Sequence, residues 1–498
     1  VKLNTKWNKK SYIYRNISYF SNQIQIVMKK LKILLTLSLG LSTLLNAQDL
    51  YVSDNSFVFV QDEVLFVKND IQLEEADSNI YLRGDAQLLQ DIDIKNSDIG
   101  ELSVYQEQTT GIYEYNFWSS PVGVGVQGNQ ATGANVNFDI TNIHQPTDPS
   151  VNSIVTSSEY NTIGGYNSTT TQIANYWLWK MEAADGYAGW SHISNTGDAE
   201  AGLGFTMKGS PTANNTIDFR GRPNTGTITQ SCLYDGTDDD PNSGVAGLVT
   251  TLTGNPYPCA MDLLLFLTNS TNRTSLDGSI YFWEQKEKSS HLLLDYEGGY
   301  AVWTPDTELA NDAGTYVKAT FGAYDRYGGE IGDTAGESDD YTGTFTRRFA
   351  AIGQGFMVRN GASNNGGDFE IKNSMRVYMP QAADKNSDGS QFGRMSSENR
   401  NQPLVAMSHN GLDYMDILEN PNIIPKIRIH TKMNDRYIRE NVLTFNPEKN
   451  NEFNKFGDAL TPSVLATDTY FIANNNYKLA IKSIAYSIDS KLPFGLNA

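Results

Sequence analysis

Short apolar runs return roughly every seven or eight residues between Leu50 and Gln90. They are Leu50-Tyr51-Val52, Phe57–Val60, Val64–Val67, Ile71-Gln72-Leu73, Ile80-Tyr81-Leu82 and Gln87-Leu88-Leu89, with Asp, Asn and Glu clusters between them. Strand-length pieces at this spacing predict a short β-solenoid or a tight meander. No stripe at helical spacing survives the polar interruptions, and the β-branched and aromatic content disfavours helix.

From Tyr113 to Tyr378 the pattern changes to longer strands joined by long Gly/Asn/Asp loops. Asn175-Tyr176-Trp177-Leu178-Trp179-Lys180 alternates, which predicts a strand with Trp177 and Trp179 on one face. Ser279–Glu284 and Gln354–Val358 are further predicted strands, and Ala260–Leu267, after a Pro-Tyr-Pro turn, is the one helical candidate. Residues 381–402 read as a linker. Beyond it, strands are predicted at Lys426–Thr431, Val442–Phe445 and Tyr477–Ile484. The expected fold is all-β and multidomain: a solenoid or meander over 48–110, a β-sandwich-like region over 111–380, and a small β domain over 403–498. A chain of 498 residues is long for one core, and two to four domains are expected.

Charge sharpens this picture at the N-terminus. The net charge is −19, yet residues 1–47 hold eight basic side chains and no acid. Without them, 30 basic side chains face 57 acidic ones, a net −27. Such a surface repels phosphate backbones, so nucleic acid is not an expected partner. Within the basic stretch, Met28–Lys32 precedes an apolar run from Ile33 to Leu45, and Asn46-Ala47-Gln48 follows. That order reads as a signal peptide over 28–47, cleaved after Ala47. The run is short of the ~20 residues that span a bilayer, so no membrane span is expected in the mature chain. Residues 1–27 read as an upstream extension from a start placed too early, with Met28 as initiator; the alternative reading is a long basic n-region of the signal.

Several strings in the middle of the chain carry a resemblance. In order, they are Trp118-Ser119-Ser120-Pro121-Val122-Gly123, Gly204–Gly209, Phe219–Ile228, Gly254–Asp262, Tyr281-Phe282-Trp283-Glu284, Tyr296–Ala301, Gly353-Gln354-Gly355-Phe356 and Asn373-Ser374-Met375-Arg376. They resemble the framework strings of flavobacterial (Bacteroidota) surface proteins that carry a type IX sorting domain, with Cys259 where that family usually has Ser. The resemblance covers 110–380 strongly and 425–498 weakly. It implies Sec export followed by the type IX secretion machinery as a partner, and residence on the outer cell surface or in the medium. It implies no catalytic residue. The family's compact C-terminal sorting domain has no counterpart after residue 400, so the chain is expected to continue past Ala498. The strand Lys478–Ile481 is expected to need a neighbour from that continuation.

Candidate chemistry is sparse. His144, His192, His291, His409 and His430 are scattered, and no HExxH or HxH spacing suggests a catalytic metal. Asp384, Asn386 and Asp388 begin a calcium-loop pattern, but its twelfth position is Met395, so at most a partial site is expected. Asp238-Asp239-Asp240 reads as a solvated loop. Cys232 and Cys259 sit near predicted strand ends, where a bridge would close a loop of about 26 residues and contribute on the order of 3 kcal/mol. Trp177, Trp179 and Trp190, with nearby Tyr176 and Tyr187, are candidates for stacking sugars, against the plainer reading of core packing. The functional expectation is a non-catalytic secreted or surface-displayed protein, structural or adhesive, with an unassigned glycan or protein ligand. The alternative is a carbohydrate-binding or polysaccharide-degrading protein.

Overall fold

The structure is a computed structural model that describes residues 49–93, 96, 99–108, 110–124, 135–155, 157–159, 172–193, 199–209, 216–236, 247–327, 347–361, 365–382, 390, 409–433, 437–462, 465, 467–473 and 476–497. All of them belong to one compact unit, Asp49–Ala498. The fold is all-β, many short strands in several sheets with three short α-helices among the described residues. No described helix is long and apolar enough to cross a membrane.

The N-terminal runs pair in parallel. Leu50–Val52 pairs with Ile71–Leu73, Phe57–Gln61 with Asn79–Arg83, and Val64–Val67 with Gln87–Gln90. Parallel ladders rule out the meander, whose neighbouring strands run antiparallel. Inward side chains of the second set, Ile71, Leu73, Ile80, Leu82 and Leu88, are fully buried, while Leu50, Val58, Val60 and Leu65 of the first set are half-buried. The ladder continues past residue 110: Asn79–Arg83 pairs with Glu101–Glu107, which pairs with Thr216–Pro223. The expected segments 48–110 and 111–380 therefore share a sheet.

The central sheet runs Thr250–Gly254, Gly355–Arg359, Ile280–Gln285, Glu297–Thr304, Thr315–Val317. Strand alternation splits its side chains between two faces. Ile280, Phe282, Ala301, Trp303, Phe356 and Val358 enter the main core. Tyr281, Trp283, Tyr300 and Met357 belong to the other face.

The helical candidate is half strand. Ala260–Asp262 pairs with Arg376–Val377 and Phe349–Ala350, and only Leu263–Thr268 is helical. Asp262 ends the strand by accepting a hydrogen bond from Leu264 N at 3.0 Å, an N-cap held in place by Arg348. The strings behind the resemblance meet in space. Asn255 Nδ2 donates to Cys259 O at 2.6 Å and to Ala351 O at 2.9 Å. Buried Arg376 donates to Leu88 O at 2.6 Å and lies over the Tyr257 ring. A Cβ on Gly355 would sit 2.6 Å from the Phe117 carbonyl carbon and 2.7 Å from Trp118 N, so only glycine lets these strands meet. Asn255, Tyr257, Gly355 and Arg376 of these strings are framework in this chain.

The C-terminal residues form their own sheet, ordered Lys426–Met433, Tyr437–Phe445, Lys478–Ile484, Asp468–Ile472, Phe494–Asn497. The strand expected to want a neighbour is central in it: Lys478–Ile484 pairs with Tyr437–Phe445 on one side and Asp468–Ile472 on the other. The linker expected over 381–402 lies almost wholly outside the described residues.

Candidate functional site

The second face of the central sheet opens into a cleft of about 680 Å³. Half of its lining residues are aromatic, against 11 % of the chain. Tyr281, Trp283, Tyr300, Met357 and Arg359 form the floor. They share it because Tyr281 and Trp283 are two apart on one strand, with Trp283 opposite Tyr300 and Tyr281 opposite Met357.

A second wall comes from Tyr115–Trp118, paired with Phe205–Lys208. Phe117 is its hub, stacked parallel to Trp283 (6.0 Å between centroids, 4° between planes) and edge-on to Trp190 at 5.8 Å. Aromatic pairs of this kind add about 0.5–1.5 kcal/mol each beyond area burial, so the wall is rigid.

The rim is made by two turns. Ala184 bridges to Thr250 of the floor sheet, and Gly186 follows with φ 59° and ψ −174°, a conformation open essentially to glycine alone. That turn projects Tyr187, which is 51 % exposed. On the other side, Tyr327 N donates to Asp325 Oδ1 at 2.7 Å, and the turn so fixed presents Tyr327, 68 % exposed.

The three tryptophan candidates divide. Trp179 and Trp190 line the cleft and Trp177 does not. The expected strand from Asn175 to Lys180 is broken: Asn175–Trp177 is a 3₁₀ turn, and only Trp179–Lys180 is strand. The turn is closed by Leu178 N donating to Asn175 O at 3.1 Å, which takes Trp177 off the shared face. Trp177 instead stacks on His291 (5.2 Å, 15°) and covers the Lys208 amine at 3.6 Å from the ring centroid.

Lys208 is buried behind the cleft wall among the Trp177, Tyr115 and Tyr296 rings. It hydrogen-bonds the Tyr296 hydroxyl, and its Nζ lies 2.8 Å from His291 Nδ1. Burial pushes the amine down to about 7, with Glu114 pulling the other way. His291 is pushed down to about 4, by burial first and the Lys208 charge second. The imidazole is thus neutral near pH 7 and offers Nδ1 as acceptor. Tyr296, which lines the cleft, is fixed by this cluster and by donating to Tyr113 O at 2.8 Å.

The disulfide is not formed. Cys232 and Cys259 are both free and buried. The strand before Cys232, Ile228–Ser231, pairs with Asp368–Ile371, whereas Thr250–Gly254 pairs with Gly355–Arg359, so the two thiols face different neighbours. Cys232 Sγ lies 3.6 Å from Val249 O; Cys259 Sγ accepts from Arg376 Nε at 3.3 Å. Burial pushes the Cys232 thiol up to about 12 and raises Cys259 as well. The calcium candidates Asp384, Asn386 and Asp388, and the acids Asp238 to Asp240, lie outside the described residues.

Sequence reasoning missed Tyr281, Trp283, Tyr300 and Tyr327 as cleft residues. The available signals were the alternation of Tyr281 with Trp283 and the repeated Asp-x-Tyr turn, Asp185-Gly186-Tyr187 and Asp325-Arg326-Tyr327.

Over residues 2–430 the chain matches the family described as "Domain of unknown function (DUF8693)", and it belongs to that family. No curated protein and no solved structure matches the chain.

Proposed function

We propose that this chain is a non-catalytic, exported surface protein whose aromatic cleft binds a glycan. The observation that carries the reading is the cleft itself: about 680 Å³, half of its lining aromatic, with exposed tyrosines at the rim. A cavity of this size suits a small oligosaccharide, and flat rings pack against the apolar faces of pyranoses while rim polar groups take hydroxyls. Export through Sec and then the type IX machinery draws its support from the basic-then-apolar order of residues 28–47 and from the framework strings. Adhesion to glycan-bearing surfaces is the role that joins these features.

A glycan array tests the reading. The native protein binds a defined set of oligosaccharides, and Trp190→Ala, which removes a cleft ring, loses that set while keeping its melting temperature within a few degrees. An array with no binding contradicts the proposal. The polysaccharide-degrading alternative is separated by incubating the array's ligands with protein: a retained ligand supports binding alone, and shortened products overturn the non-catalytic part.

A further inference from the structure

The N-terminal solenoid ends in three open ladders. Leu50–Val52, Phe57–Gln61 and Val64–Val67 form its first coil, one strand to each of three sides, and each pairs with the coil beneath it. Among the described residues, none of the three has a strand on its other side. The same positions fare differently one coil down. Phe59 lies over Tyr81 and Phe66 over Leu89, yet Phe59 is 41 % and Phe66 48 % exposed while Tyr81 and Leu89 are buried. Inward-pointing Val58, Val60 and Leu65 are half-buried, over fully buried Ile80, Leu82 and Leu88. This end lacks one layer of cover that the next coil has.

Two features restrict what supplies that layer. Open sheet edges are normally guarded by charged side chains, a proline or a bulge. These strands, Leu-Tyr-Val, Phe-Val-Phe-Val-Gln and Val-Leu-Phe-Val, carry no charge and no proline. Residues 48–498 carry a net −27, so two copies meet with least repulsion where both edges are neutral. The second feature is geometric. A two-fold axis through Phe59, perpendicular to the solenoid axis, lays Phe57–Gln61 antiparallel on its own copy. It exchanges the other two sides, so Leu50–Val52 of one copy meets Val64–Val67 of the other. Lengths agree under that exchange, five residues on five and three on four. The phase agrees as well. Val58 falls opposite Val60 and Phe59 opposite itself, so inward side chains meet inward ones and the apolar interior runs on.

We infer that this end of the solenoid is a self-association surface, on which a second copy of the chain stacks head to head by antiparallel strand pairing. In one respect this rests on the signal-peptide reading above: cleavage after Ala47 leaves only Gln48 and Asp49 ahead of Leu50, too few to form a covering coil. The paired edges are small against the ~20–30 residues a side of a standard interface, so the dimer is weak, with Kd in the micromolar range. Its corners resist association. Asp54, between the first two strands, approaches Asp62 and Glu63 of the other copy, between the second and third, so salt tightens the dimer.

Sedimentation equilibrium of the chain from Gln48 onward, the compact unit plus one residue, tests this at loadings from about 1 to about 100 µM. We expect a monomer–dimer equilibrium that moves toward dimer as salt rises. Phe59→Lys sets like charges opposite one another on the axis and should weaken the dimer at least about tenfold. Its melting temperature should stay near native, because the ring it replaces is exposed. Phe59→Cys should form a disulfide between copies in air, whereas Tyr486→Cys, at an exposed position in the C-terminal region, should not. The native cysteines are buried and do not compete. A monomer throughout the range overturns the inference. So does a dimer that Phe59→Lys leaves intact, or one that cross-links no better through position 59 than through position 486. Each of these results leaves the export and glycan readings standing.

Discussion

Lys482 and Asp458 form an ion pair that the C-terminal sheet cannot lose cheaply. Nζ lies 2.8 Å from Asp458 Oδ2, with the two side chains 1 % and 0 % exposed. The ammonium has three acceptors, because it also donates to Asn450 O at 3.0 Å and Glu452 O at 2.8 Å. The carboxylate accepts from Ser483 N at 2.6 Å and Asn454 N at 2.8 Å. Lys482→Met fits the same volume and removes only the charge and its donors. It leaves a buried carboxylate and two carbonyls without their cation, which costs about 3–5 kcal/mol. Burial already raises the Asp458 carboxyl, and Lys482 opposes that rise. Without the lysine it rises further above its unfolded value of 3.8. A carboxyl raised in the fold favours folding where it is protonated and loses that contribution as pH climbs through its folded value. The variant's deficit is therefore larger at pH 8 than at pH 5. In scanning calorimetry we expect the variant to melt roughly 3–5 °C below the native chain at pH 8. Asp458→Asn added to Lys482→Met should recover part of the loss, because a neutral amide keeps an acceptor for Ser483 N without burying a charge. A single variant within about 0.5 kcal/mol of native, or a double variant less stable than the single, would refute this reasoning.

Two other outcomes follow from buried groups. Burial, and then the neighbouring Asp306, pushes the Asp312 carboxyl up to about 7. Folding then favours its protonated form, so stability falls as pH rises from about 4 to about 7, and Asp312→Asn should flatten that fall in melting curves taken across the range; an unchanged slope in the variant contradicts the assignment. Thiol titration of the unreduced protein should find both cysteines silent in the native state and both reactive in denaturant, and an unreactive pair in denaturant would show a bridge.

Much of the scaffold was legible because period-two patterning is local. The strands at Ile280–Gln285, Gly355–Arg359 and Lys426–Met433 fall where alternation placed them. The spacing of the N-terminal runs, with Leu50 over Ile71 and Phe57 over Asn79, was readable, but whether such runs coil or meander is decided by pairing at a distance. The cleft was legible only in fragments. Trp179 and Trp190 stood out by type, and Trp177 was misplaced because a 3₁₀ turn satisfies Asn175 O locally and breaks the alternation. Tyr281 and Trp283 gave no sign of a cleft, because alternation puts them on one strand face without saying which face is covered. The buried Lys208 amine, caged by rings from three distant segments, leaves no local trace at all.

Whether the cleft is the binding site is tested most directly by hydrogen–deuterium exchange on the native protein, with and without the tightest glycan from the array. We expect slowed exchange in the two rim turns, Asp185–Trp190 and Tyr324–Tyr327, and in the floor strands Ile280–Gln285 and Glu297–Thr304, with the C-terminal sheet unchanged. Protection that falls elsewhere and spares both rim turns would contradict the account.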